Sequence, residues 1–205
     1  MAITARTLMA GLAFTCTLFT AGQAPAAQDE LAALVLHVDN YARVSPEHLE
    51  RSKLEVTRIY KAAGIQTAWV ESDGPADASR RQPDARPDAM HLRVLLLCQD
   101  MTARKIEADA IPANVLGRAA GPTARAYILT PRVANLATRR HLDFDRLLGR
   151  VIAHEVGHLL LPPRSHSASG IMRESLDTRS TRNATFTEAQ RKKMLAVLQV
   201  PQDPS

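Results

Sequence analysis

Between residues 31 and 70 the apolar positions change their period twice. Leu31-Ala-Ala-Leu-Val-Leu-His-Val-Asp-Asn-Tyr41 is aliphatic and β-branched, which predicts a strand. Ser45, followed by Pro46 and then by Glu47 and Glu50, marks a helix start. Leu49, Leu54, Val56, Ile59 and Tyr60 supply that helix with an apolar side until Gly64 ends it. Ile65 to Val70 alternates again and predicts a second strand. Residues 71–90 have no period and read as an exposed loop. His91 to Cys98 is nearly continuous apolar sequence, the pattern of a central strand. Thr102 to Asp109 reads as a helical turn, and Asn114 to Gly121 and Ala124 to Thr130 as two more strands joined by a Gly-Pro turn.

The helical period returns in Phe144, Leu147, Leu148, Val151 and Ile152, and the same stripe continues into Glu155, His158 and Leu159. A helix is therefore predicted from about Asp143 to Leu161, where Pro162-Pro163 stops it for want of backbone donors. The stretch up to Asn183 reads as irregular. Thr185 with Glu188 reads as a capping box that opens a last helix to about Leu198, with Phe186 as its hydrophobic staple. The resulting order is β-α-β-β-β-β, long helix, loop, helix. It predicts an α+β fold in which a sheet packs against two helices.

Chemistry enters where the stripe turns polar. His154 and His158 are four residues apart, so a helix stacks their imidazoles on one face and aims both at a single ion. Glu155, between them, lies near that ion without ligating it, which suits a general base for metal-activated water. A buried carboxylate between two histidines is costly unless a metal or another partner compensates it. A catalytic zinc needs three protein ligands and an open position. His166 is the first choice for the third, and Glu174 or Asp177 is the alternative.

Composition narrows the partners. Of 205 residues, 45% are apolar and 23% charged, which fits a globular chain able to bury a core. The net charge of +5 comes from arginines spread along the chain. No basic block interleaved with aromatics is present, so nucleic acid is not expected as a partner. Residues 1–26 read as a signal peptide: Arg6 is the positive end, Leu8 to Thr20 the apolar stretch, and Ala24-Pro-Ala26 the small-residue cleavage site. That places the mature domain at 27–205, secreted or periplasmic, with no stable membrane insertion after processing. Only Cys98 then remains, so no internal disulfide is expected. His37, His48, His91 and His141 have no partner at ligand spacing and read as structural or exposed.

The pentad His154-Glu155-Val-Gly-His158 followed by Ser169-Gly-Ile-Met172 resembles the metzincin group of zincin metallopeptidases. The resemblance implies a mixed five-stranded sheet with a backing helix, an active-site helix, and a small C-terminal lobe with a methionine turn beneath the metal. It also implies Zn2+ as cofactor, a peptide or protein substrate, and an edge strand at 114–121 or 124–130 that pairs with it. The usual pattern HExxHxxGxxH places a Gly where this chain has Leu161 and a His where it has Arg164. The next histidine is His166, eight residues beyond His158. This form resembles uncharacterised secreted bacterial proteins with a His-Ser-x-x-Gly-Ile-Met ending. Where such peptidases place a Tyr after the turn methionine, this chain has Arg173. The activity implied is a secreted zinc endopeptidase with Glu155 as catalytic residue and His154, His158 and His166 as metal ligands. Two other functions use the same residues: a non-catalytic zinc-stabilised binding domain, and a zinc amidase acting on cell-wall peptides.

Overall fold

A computed structural model of the chain describes residues 32–72, 89–174 and 184–199. The expected signal peptide, residues 73–88 of the expected loop, and Asp177 lie outside the described residues. β1 (Ala32–Asn40), α1 (Pro46–Lys61) and β2 (Ile65–Ser72) form a parallel crossover unit. Ser45 caps α1 by accepting from the His48 N–H, and Gly64 makes the turn into β2 at φ +77°. β3 (Met90–Leu96) lies parallel to β1 on its other side. α2 (Gln99–Asp109) leads to β4 (Gly117–Ala120), and a single 3-10 turn over Gly121–Thr123 leads to β5 (Arg125–Ile128). Three helices complete the chain: α3 (Thr130–Arg140), α4 (Phe144–Leu160) and α5 (Glu188–Leu198).

The sheet order is β2-β1-β3-β5-β4, parallel throughout except for β4, which runs antiparallel at one edge. Among the described residues this is an α+β architecture with a five-stranded mixed sheet and five helices, consistent with a zincin-like fold. Alternate residues of the strands, among them Leu34, Leu36, Val94, Leu96, Ala126 and Ile128, join Val56, Ile59, Leu148 and Ile152 of α1 and α4 in one buried core.

Two helices exceed the expectation. The helical turn at 102–109 is the core of an eleven-residue helix, α2, of which only Thr102 is fully buried. α3 falls in a stretch where no helix is predicted. Its buried positions are Thr130, Val133 and Ala137, one narrow line of small side chains that gives little apolar period. The proline at its first turn was the available signal. The last capping box is also displaced by two residues. Thr187 accepts from the Gln190 N–H, and the Gln190 side chain accepts from the Thr187 N–H. Phe186 faces inward instead, its ring 5.1 Å from that of Tyr60.

Three of the four histidines read as lacking a partner at ligand spacing have hydrogen-bonding partners. His37 Nε2 lies 2.9 Å from His91 Nδ1 across β1 and β3. His48 Nδ1 lies 2.6 Å from the Asp145 carboxylate, which Arg51 also grips. The second contact belongs to a set that locks α4 against α1. Gly149 lets the helices touch, since a Cβ there would sit 2.6 Å from Ser52 O. Tyr60 donates to Ala153 O at 3.0 Å. Glu55 accepts two bonds from Arg58, at 2.8 and 2.9 Å, and one from Arg150 at 3.2 Å.

Glu55 provides a pH test of this lock. Burial acts to raise its pKa, but the Arg58 and Arg150 guanidinium groups outweigh it and hold the carboxyl below its usual 4.5. A folded-state pKa below the unfolded one contributes stability that is present above the unfolded value and lost as pH falls through the folded one. Glu55→Gln is therefore expected to lower unfolding free energy by about 2 kcal/mol at neutral pH. Denaturant titrations of both proteins should show that gap closing as pH falls below 4.5.

Candidate metal centre

α4 ends at Leu160 because Leu161 turns extended, at φ −110° and ψ 154°, ahead of the two prolines. The sharp reversal that the usual pattern assigns to Gly is made three residues later by Arg164, at φ +62°. The two additional residues are absorbed in this turn, which carries His166 back toward α4. Beyond it the loop is pinned. Ser167 N–H donates to Met172 O at 2.9 Å, and Ile171 N–H donates to Thr185 O at 2.9 Å. Gln190 of α5 donates to Ser165 O at 3.0 Å and to Ser167 Oγ at 3.1 Å. No motif in the sequence marks that second role of Gln190.

The three histidines converge. His158 Nε2 lies 3.0 Å from His154 Nε2 and 3.1 Å from His166 Nε2, and the three ligand nitrogens all lie within 4.8 Å of one another. His154 Nδ1 lies 2.9 Å from Ile171 O, a contact that requires the proton on Nδ1 and leaves the Nε2 lone pair facing its neighbours. His158 Nε2, central to the group, has room for one proton at most, so both of its short contacts cannot be hydrogen bonds. Burial pushes the His158 pKa down to about 4, with the other two imidazoles adding to the effect, and burial also lowers His154. Imidazole nitrogens this close form a donor set that fits a tetrahedral metal, whose Zn–N bonds of about 2.0 Å set nitrogens roughly 3.3 Å apart. Among the described residues this is the one such cluster. Glu174 lines the same groove and is not part of the cluster.

Met172 is fully buried beneath α4, and a Cβ on Gly157 would stand 2.6 Å from its sulfur and 3.0 Å from the Phe186 ring. Gly157, one residue before His158, is what allows the methionine turn to press against the helix.

Glu155 is 7% exposed. Its side chain lies on β4: a Cβ at Gly117 would come within 2.6 Å of its Cγ and 2.9 Å of its carboxylate. Burial raises its pKa to about 8, against the pull of the Ala119 backbone N–H, which donates to the carboxylate, and of the Arg118 charge. A glycine inside a strand marks a bulge or a close approach. The neighbour of Gly117 is Glu155.

The edge of β4 is aimed as well. Leu129 N–H donates to Leu116 O at 2.9 Å. By antiparallel alternation, Arg118 and Ala120 then turn their backbone groups toward β5, while Gly117 and Ala119 turn theirs to the outer edge. The bond from Ala119 to Glu155 agrees with that phase. No other described strand pairs with this edge. It borders a groove of about 1600 Å³ lined by α2, α3, the end of α4 and the three histidines.

Among the described residues, no helix is long and apolar enough to cross a membrane. No protein-family profile and no curated protein matches the chain. Among solved structures, it is similar to a zinc-dependent peptidase from Methanocorpusculum labreanum. The identity is 15%, the match covers 78% of this chain and 99% of that one, and the TM-score is 0.49. At that identity and TM-score, the chemistry of this chain has to be argued from its own residues.

Proposed function

We propose that this chain is an exported zinc-dependent endopeptidase, with His154, His158 and His166 as metal ligands and Glu155 as the catalytic base. The observation that carries the reading is the convergence of three imidazoles beside a buried carboxylate, under the open edge of a strand. Export is supported by the signal-peptide pattern of residues 1–26.

Zinc held by the three imidazoles would polarise a substrate carbonyl and bring the pKa of a water toward about 7. Glu155 takes the proton from that water on its carboxylate and returns it to the leaving amine. Burial outweighs the Arg118 charge and the Ala119 N–H and raises the pKa of this carboxyl to about 8. A dication held by the three imidazoles would favour the charged form, leaving the Glu155 carboxylate able to accept a proton at neutral pH. Ala119 N–H holds one carboxylate orientation and Gly117 leaves room for it. The outward backbone groups of Gly117 and the Ala119 carbonyl suit an extended peptide added alongside β4, which would hold the scissile bond next to Glu155. A binding domain stabilised by zinc would be expected to close the site with a fourth protein ligand. The described cluster has three.

The test is cleavage of a mixed peptide library by protein with its zinc, with zinc stripped by a chelator, and with zinc restored. Cuts that vanish on stripping and return with the metal are expected. A zinc-loaded protein that cuts nothing in the library, or cuts that persist after stripping, would refute the reading.

A further inference from the structure

The groove beside the histidines carries positive charge that the reaction does not use. Among the described residues, five arginines line it, against two carboxylates, Glu155 and Glu174. Two of the five are committed to the fold. Arg132 donates to Pro112 O at 2.6 Å and Val115 O at 2.9 Å, which holds the loop before β4. Arg118 pairs with Asp109 at 3.1 Å. The other three, Arg139, Arg140 and Arg164, are exposed and form no hydrogen bond or ion pair with any described residue. Arg139 and Arg140 end α3, where a helix favours cations. Helix electrostatics does not account for Arg164, which holds a left-handed backbone in the turn between the two metal-site histidines His158 and His166. These residues, two at the end of α3 and one in the turn after α4, line one groove.

We propose that this groove selects acidic peptides, with Arg139, Arg140 and Arg164 as its specificity-determining residues. The inference rests on the peptidase reading and gives it a substrate class. A guanidinium presents a rigid fork that meets a carboxylate with two parallel bonds, and a cleft lined by one sign of charge concentrates ligands of the other. The partner is a peptide because the β4 edge offers backbone donors and acceptors to an extended chain. Apart from the histidines, no aromatic side chain lines the groove, so nucleobases have nothing of the usual kind to stack on.

The experiment compares matched peptides carrying Glu and Asp, or Gln and Asn, on both sides of a cleavable bond. Wild-type protein and the Arg139→Ser, Arg140→Ser, Arg164→Ser triple variant are assayed at about 0.02 and 0.2 M salt. Equal zinc content and thermal midpoint establish that the variant is folded. The wild type is expected to prefer acidic peptides by about tenfold or more in kcat/KM at low salt, mainly through KM. The triple variant is expected to cleave both sets equally, and an Arg139→Ser, Arg140→Ser double variant, which leaves the turn before His166 untouched, to retain the wild-type rate on the neutral set. Replacing the three arginines by Lys should restore the salt-sensitive preference. Equal rates by the wild type, or a preference that survives in the Ser variant, would overturn the inference and leave the peptidase reading standing. Fluorescence anisotropy of an acidic peptide on Glu155→Gln separates the opposite case. Arginine-dependent binding without cleavage by the wild type would keep the groove's selectivity and reject the peptidase. An oligonucleotide of equal charge that competes as well as the acidic peptide would overturn the assignment to peptides.

Discussion

Glu155→Gln is expected to lower kcat by about 10²- to 10⁴-fold while zinc content and thermal stability stay at wild-type values. The argument is one of shape. Gln has the same length and keeps an acceptor oxygen for the Ala119 N–H, so the contacts with β4 survive. The three imidazoles are untouched, because Glu155 is not one of the convergent donors. What disappears is the carboxylate that lies beside the three imidazoles to take a proton and give it back. Metal analysis, a melting curve and a peptide assay on the same preparation decide it. Activity within about tenfold of wild type would remove Glu155 from the mechanism. Loss of zinc along with activity would make it a ligand or a support for the ligands.

Gly117→Ala is the second large effect, and it separates position from stability. The added methyl would stand 2.6 Å from Glu155 Cγ, well inside contact distance. The atoms that must move belong to one side chain and not to backbone, so the fold can yield at modest cost. The base cannot move without penalty: displacement of a reacting group by about 1 Å costs on the order of 10²-fold in rate. The variant is therefore expected to bind zinc normally and to unfold within about 1 kcal/mol of wild type. Its kcat should fall by about 10²-fold, with little change in KM. A stability loss that accounts for the lost activity would show that Gly117 serves packing alone. Full activity would show that Glu155 works from another rotamer.

Both predictions depend on β4, which the sequence pattern under-describes. Asn114 to Gly121 is legible as a strand, and its glycines signal a close approach. The neighbour at that approach is Glu155, and it arrives only because an antiparallel edge strand is laid across α4. No local rule links residue 117 to residue 155. The same holds for Gln190, whose capping role is local but whose bonds to Ser165 and Ser167 span more than twenty residues. α3 escaped notice for a different reason, since it buries little and its period is faint.

By itself, the sequence determined the helix that carries the histidines, their common face, the stop at Pro162-Pro163 and the strand core of the sheet. Those features depend on periodicity and on missing donors, which act within a few residues. The tertiary structure alone decided that His166 returns to the pair, that Glu155 is buried against Gly117, and that three arginines from α3 and the turn after α4 share a groove. Those outcomes depend on how separate elements pack, and packing is set by contacts between residues far apart in the chain.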